Sequence, residues 1–93
     1  MNLTPAEVAE HLPPIAAATL QALAAEPEHQ TEIRTRVCRH HPYSQNGVSQ
    51  VLTWLWLMGL AEHHGQRRFS VTPAGEEMQD LCYARYPQAE SAP

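Results

Sequence analysis

The chain has 93 residues and a formal net charge of −4, and 43% of its residues are hydrophobic. This length suits one domain, and the longest apolar run, near residues 54–58, is far shorter than the about 20 residues that cross a bilayer. The first residues lack a basic start and an apolar run, so they do not resemble a secretory signal. We therefore expect a soluble cytoplasmic protein with no membrane partner.

Charge is distributed unevenly along the chain. Residues 1–33 carry a formal charge of −5, residues 34–68 carry +4 and residues 69–93 carry −3. Five of the six basic residues lie in the middle segment, and all six are arginines. A basic segment within an acidic chain indicates a polyanionic partner for that segment.

Two helices are predicted first, at about 4–12 and 15–25. Thr4 and Glu7 have the spacing of a capping box, and Pro13 follows the end of the first helix. Period-3.6 spacing then predicts one apolar stripe on the second helix. The stripe consists of Ala16, Leu20, Leu23 and Ala24.

A third and a fourth helix are predicted at about 30–39 and 45–58. Ile33 and Val37 are expected to face inward on the third helix, and Gly59 is well placed to end the fourth. The fourth helix has a longer apolar stripe. That stripe consists of Val48, Val51, Leu52, Leu55 and Met58.

After Gly59 the pattern changes to a period of two, which predicts a hairpin with strands at about 60–64 and 67–71. Phe69 and Val71 then point one way, while Arg68 and Ser70 point the other.

Thr72 is a helix cap and begins a last helix at about 73–85. Its apolar stripe contains Met78, Leu81 and Cys82. Residues 1–86 are thus expected to form a single domain, and the Pro- and Ala-rich residues 87–93 a disordered tail.

The segment VSQVLTWLWLMGLAEHHGQRRFSVTPAGEEM, residues 48–78, resembles the corresponding part of MarR-like bacterial and phage regulators. In those proteins a recognition helix ends in GL, an arginine-bearing hairpin follows, and the second strand leads into LTPAG. The resemblance implies a winged helix-turn-helix fold, mainly α with a small β-hairpin wing. It also implies a sequence-specific transcriptional regulator that binds double-stranded DNA, acting as a dimer on a two-fold site.

Candidate DNA contacts follow from the chemistry of groove recognition. Amide and hydroxyl side chains on a helix can hydrogen-bond to base edges, and arginines on a neighbouring hairpin or helix can reach phosphates. The candidates at the start and on the polar side of the fourth helix are Ser44, Gln45, Asn46, Ser49, Gln50 and Thr53. The candidate phosphate contacts are Arg36, Arg39, Arg67 and Arg68.

Trp54, Trp56 and Leu57 lie outside the apolar stripe of the fourth helix. Aromatic residues are enriched at protein interfaces, so we expect a second copy or another protein to cover at least one of the three. Packing by the terminal helices of the same chain would be the other way to cover them. An alternative function follows, in which a winged helix serves as a protein-binding module, such as a phage- or plasmid-borne inhibitor or an adaptor.

Catalytic and metal-binding motifs are not recognisable in the sequence. Adjacent histidines on a strand, such as His63 and His64, face opposite ways and do not readily share an ion. Cys38 and Cys82 are expected to be thiols in or near the core. We therefore expect no enzymatic activity, no cofactor and no metal site.

Overall fold

The computed structural model describes residues 4, 7–8 and 11–85, with the backbone alone at 83–85. This part of the chain is mainly helical with a small antiparallel sheet, which confirms the predicted α+β class. The helices are α1 (Pro14–Gln21), α2 (Gln30–His40), α3 (Gln45–Leu57) and α4 (Pro73–Arg85). The strands are β1 (Glu28–His29), β2 (Ala61–His63) and β3 (Arg68–Val71). The predicted tail, 87–93, lies outside the described residues.

Part of the first predicted helix, 4–12, also lies outside the described residues. Glu7, Val8 and His11 are helical. The predicted capping box is present, because Glu7 N donates to Thr4 Oγ1 at 3.2 Å and Thr4 N donates to Glu7 Oε1 at 3.1 Å. The backbone N–H and the hydroxyl of Thr4 both donate to Glu7 Oε1, and these two hydrogen bonds lower the pKa of Glu7 below its ordinary value.

Helix α1 ends earlier than predicted. The prediction extended it to residue 25, but Ala22 is its C-cap, and Ala24 is exposed rather than part of the buried stripe. The chain turns here because its polar groups find other partners. Gln79 Nε2 donates to the carbonyls of Leu20 and Leu23 at 2.8 and 2.9 Å, and the Ala24 carbonyl accepts from Val71 N at 2.8 Å.

Helices α2, α3 and α4 and the hairpin strands agree with the prediction to within one or two residues. Helix α3 begins where Ser44 Oγ accepts from Gly47 N at 3.0 Å, and α4 begins where Thr72 Oγ1 accepts from Gly75 N at 3.0 Å. Strand β1 was not predicted. It pairs antiparallel with β3, so the sheet order is β1-β3-β2.

The core lies between the helices and one side of the sheet. Helix α3 packs on α1 and α2, and α1 also packs on α4. Most of the predicted inward residues are buried: Leu20, Ile33, Val37, Val48, Leu52, Leu55, Phe69, Val71, Met78 and Cys82. Met58 was predicted to belong to the apolar stripe of α3, and this is wrong. It is the C-cap of α3 and is 42% exposed.

The segment from Gly59 to Gly75 forms a compact corner that joins α3, the sheet and α4. Gly59 has φ of +81°, a left-handed conformation that suits glycine, and its carbonyl accepts from Thr72 Oγ1 at 2.7 Å. Gly75 lies so close to the residue that precedes β2 that a Cβ there would overlap the backbone carbonyl of Leu60. The GL and TPAG residues are therefore in direct contact, and this corner fixes where the hairpin leaves the domain.

Candidate nucleic-acid interface

Helix α3 exposes a stripe of three polar residues and one leucine on the side opposite the core. Asn46, Gln50, Thr53 and Leu57 follow each other at i, i+4, i+7 and i+11, and all four are exposed. Val48, Leu52 and Leu55 occupy the buried side. Gln45, also exposed, stands in the first turn of the helix. The residues predicted to read bases are thus largely brought together on one accessible face.

The two serines of the predicted set have structural partners. Ser44 Oγ caps α3, and Ser49 Oγ accepts from Arg34 Nη1 at 3.2 Å. Thr53 Oγ1 donates to the Ser49 carbonyl at 3.4 Å. By contrast, no hydrogen bond within the described part of the chain occupies the side-chain amide of Asn46 or Gln50. These two amides are therefore available to a ligand.

Arg34 is a site residue that the sequence analysis missed. Its guanidinium lies between α2 and α3, where Nη1 donates to Ser49 and Nη2 donates to Thr31 Oγ1 at 3.3 Å. Its Nε is buried and has no hydrogen-bond partner among the described residues. Arg34 thus fixes the position of the exposed face of α3 relative to α2.

Arg36 was predicted to contact phosphate, but its guanidinium is engaged within the chain. Nη1 and Nη2 donate to the two carboxylate oxygens of Glu28 at 3.1 and 2.6 Å, and Nη1 also donates to the Ala22 carbonyl. The hydrogen bonds to Glu28 raise the pKa of Arg36 above its ordinary value. The bidentate carboxylate of Glu28 offsets the positive charge of Arg36 and occupies its donors. We therefore remove Arg36 from the candidate interface.

Arg39 is exposed but lies on the outer side of α2. It lines a shallow depression together with Thr35, Arg36 and Glu32. It also stands about 140° around the helix from Arg34, the residue that faces α3. Arg39 is therefore the weakest of the predicted basic contacts that remain.

The hairpin turn presents Arg67 and Arg68 to solvent. Arg68 N donates to the Gly65 carbonyl at 3.0 Å across the turn, whose central residues Gln66 and Arg67 have φ of +51° and +60°. Positive φ at both central positions is typical of type I′ turns and costs a residue other than glycine about 1 to 2 kcal/mol. The Arg67 carbonyl accepts from Gln30 N at 2.8 Å, which attaches the turn to the start of α2.

No family model, curated protein or solved structure matches this chain. Among the described residues, no helix has both the length and the apolar character needed to cross a membrane.

The three apolar residues predicted to meet a partner are all exposed. Trp54, Trp56 and Leu57 are 40%, 44% and 74% exposed, respectively. They occupy different sides of α3. Leu57 continues the polar stripe, Trp54 stands one turn before the exposed Met58, and Trp56 packs on His63 with ring centroids 5.0 Å apart.

The histidines and cysteines have separate surroundings. His63 also lies 4.9 Å from the Phe69 ring, while His64 Nε2 is 2.7 Å from Ser70 Oγ. Cys82 is buried, which raises the pKa of its thiol, and Cys38 is half-buried with its Sγ 3.2 Å from the Tyr43 carbonyl. Over the residues that the structure describes, no group of three or more His, Cys, Asp or Glu side chains is placed to hold a metal ion.

Proposed function

We propose that this chain is a winged helix-turn-helix protein that binds double-stranded DNA and regulates transcription. Helices α2 and α3 would form the helix-turn-helix pair, and β2 and β3 would form the wing. One observation carries the proposal: the exposed face of α3 and the arginine-bearing turn are both attached to α2. Arg34 joins α2 to Ser49, and Gln30 N joins α2 to the Arg67 carbonyl.

In this arrangement α3 enters the major groove, and the hairpin turn lies against the flanking backbone. A major groove admits one α-helix, whose exposed side chains can reach base edges. Arg67 and Arg68 then lie near phosphates or a minor groove, where their charge contributes affinity for any sequence. The acidic residues lie mostly outside residues 34–68, so the basic segment can meet DNA while the net charge stays negative.

A salt series on a random duplex of about 20 base pairs tests DNA binding. If Arg67 and Arg68 contact phosphates, the logarithm of the association constant should fall linearly with the logarithm of the salt concentration, with a slope of about −2. Fluorescence anisotropy with a labelled duplex measures this slope. Lack of binding at 50 mM salt would contradict the proposal and favour the alternative, a winged helix that binds a protein.

We also propose that the protein acts as a dimer, because helix-turn-helix proteins commonly bind two half-sites and a module of this size buries little area alone. Trp54 is the best contact for a second copy, since it is 40% exposed and adjoins Met58, which is 42% exposed. Trp54→Ala should dissociate the dimer at micromolar concentration without unfolding the chain. Sedimentation velocity at several concentrations measures the dissociation.

Trp56→Ala is the matched control for Trp54→Ala. Both changes remove one exposed indole from α3, but Trp56 already packs on His63 of the same chain. Trp56→Ala should therefore lower the melting temperature, with little effect on the affinity of the dimer. A wild type that remains monomeric at 100 μM would contradict the dimer proposal and leave DNA binding to be judged by the salt series.

A further inference from the structure

We propose that the exposed stripe of α3 reads A·T base pairs, so that the target is an A·T-rich segment of major groove. Asn46 and Gln50 would bond to adenine, and Leu57 would contact the C5-methyl group of thymine. This inference rests on the proposed DNA-binding function and adds the class of sequence that the site selects.

The composition of α3 favours A·T over G·C base pairs. Bidentate contacts from arginine or lysine select guanine, and carboxylates accept from cytosine. Helix α3, Gln45–Leu57, contains none of these four residue types. Its free side-chain amides have the donor and acceptor pair that matches N6 and N7 of adenine. The helix thus carries the ordinary partners of adenine and lacks those of guanine and cytosine.

Leu57 completes the stripe with an apolar group. It is 74% exposed, and it follows Thr53 by one helical turn on the same face as Asn46 and Gln50. A leucine in this position can bury the thymine methyl group, which is the one apolar feature of the major-groove edges. The exposure of Leu57 beside polar residues is thereby explained without a second protein.

Among the side chains that the structure describes, no free arginine lies between α2 and α3 to compete for this role. Arg34, which contacts α3 through Ser49, is engaged with Ser49 and Thr31. Arg67 and Arg68 stand on the hairpin turn, where their charge complements the backbone that flanks the groove.

The length of the stripe limits the number of base pairs that it reads. Asn46 and Leu57 are eleven residues apart, which corresponds to about 16 Å along a helix. At about 3.4 Å per base pair, α3 can reach at most about five base pairs. We therefore expect an A·T-rich core of about four to five base pairs in each half-site.

Selection of bound duplexes from a random library, followed by affinity measurements on single substitutions, tests the inference. The selected sites should share an A·T-rich core, and replacing one contacted adenine should weaken binding about fivefold to a hundredfold. Replacing the contacted thymine with uracil removes only the methyl group and should weaken binding about fourfold. Asn46→Ala should abolish the preference for adenine at one position.

Leu57→Ala is the decisive variant, because an exposed leucine can be shortened without unfolding the domain. It should bind thymine- and uracil-containing sites equally, whereas Trp56→Ala should keep the fourfold difference. Duplex binding with a G·C-rich or random core would overturn the inference and leave the proposed function intact. A thymine preference that persists in Leu57→Ala would overturn the role of Leu57. Failure to bind any duplex in the salt series would overturn both proposals.

Discussion

Replacing Gly75 with alanine should lower the free energy of unfolding by about 3 kcal/mol, because the new methyl group has no space. A Cβ at this position would overlap the carbonyl oxygen of Leu60 and the side chain of Val71. The Leu60 oxygen belongs to the residue just before β2, and it also accepts from Thr72 N at 3.2 Å. It therefore cannot move without disturbing the corner between α3, the sheet and α4.

For a domain of this size a loss of 3 kcal/mol corresponds to a decrease of roughly 12 to 24 °C in the melting temperature. Thermal unfolding followed by circular dichroism measures it. Gly59→Ala is the matched control, because Gly59 has positive φ but no atom within 4 Å of its Cβ position. That variant should lose only the free energy that backbone strain costs, about 1 to 2 kcal/mol. Equal melting temperatures for wild type and Gly75→Ala would mean that α4 does not approach the sheet this closely.

The elements that the sequence predicts well are those with local signals at their ends. Ser44 and Thr72 cap α3 and α4 as their residue types indicate, and the apolar stripes of these helices have a clear period. Strand β1 has no such signal. It consists of two residues, too few to show alternation, and it exists through its pairing with the distant β3. The early end of α1 has a similar cause, because Gln79 and Val71, far along the chain, bind the carbonyls that follow it.

In the candidate site, too, features set by local sequence are predicted, whereas features set by tertiary contacts are not. The exposed stripe of α3 follows from helical spacing alone. The roles of Arg34 and Arg36 do not, since Ile33 and Val37 define the inner side of α2 and place these two arginines on opposite flanks. Which flank faces α3 and which faces Glu28 depends on tertiary packing. The prediction therefore included Arg36, which is neutralised, and omitted Arg34, which joins the two helices.

Removing both hairpin arginines should weaken binding to every duplex by about the same factor, because phosphate contacts carry no sequence information. For Arg67→Ala combined with Arg68→Ala, the salt slope should become shallower by about one to two units. The corresponding loss of affinity at 0.1 M salt is roughly 10- to 100-fold. Arg39→Ala is the matched control, since it removes the same charge from the outer side of α2. It should change the slope by less than half a unit.

Arg67→Gly separates the charge of the turn from its backbone conformation. Arg67 has φ of +60°, which glycine adopts without strain, so the variant should be more stable than the wild type by about 1 kcal/mol. The same change removes a phosphate contact and should weaken DNA binding nearly tenfold at 0.1 M salt. Stability and affinity thus move in opposite directions, which general damage to the fold cannot produce. A stabilised variant with an unchanged salt slope would place the Arg67 side chain away from DNA, whereas a destabilised one would contradict the left-handed turn.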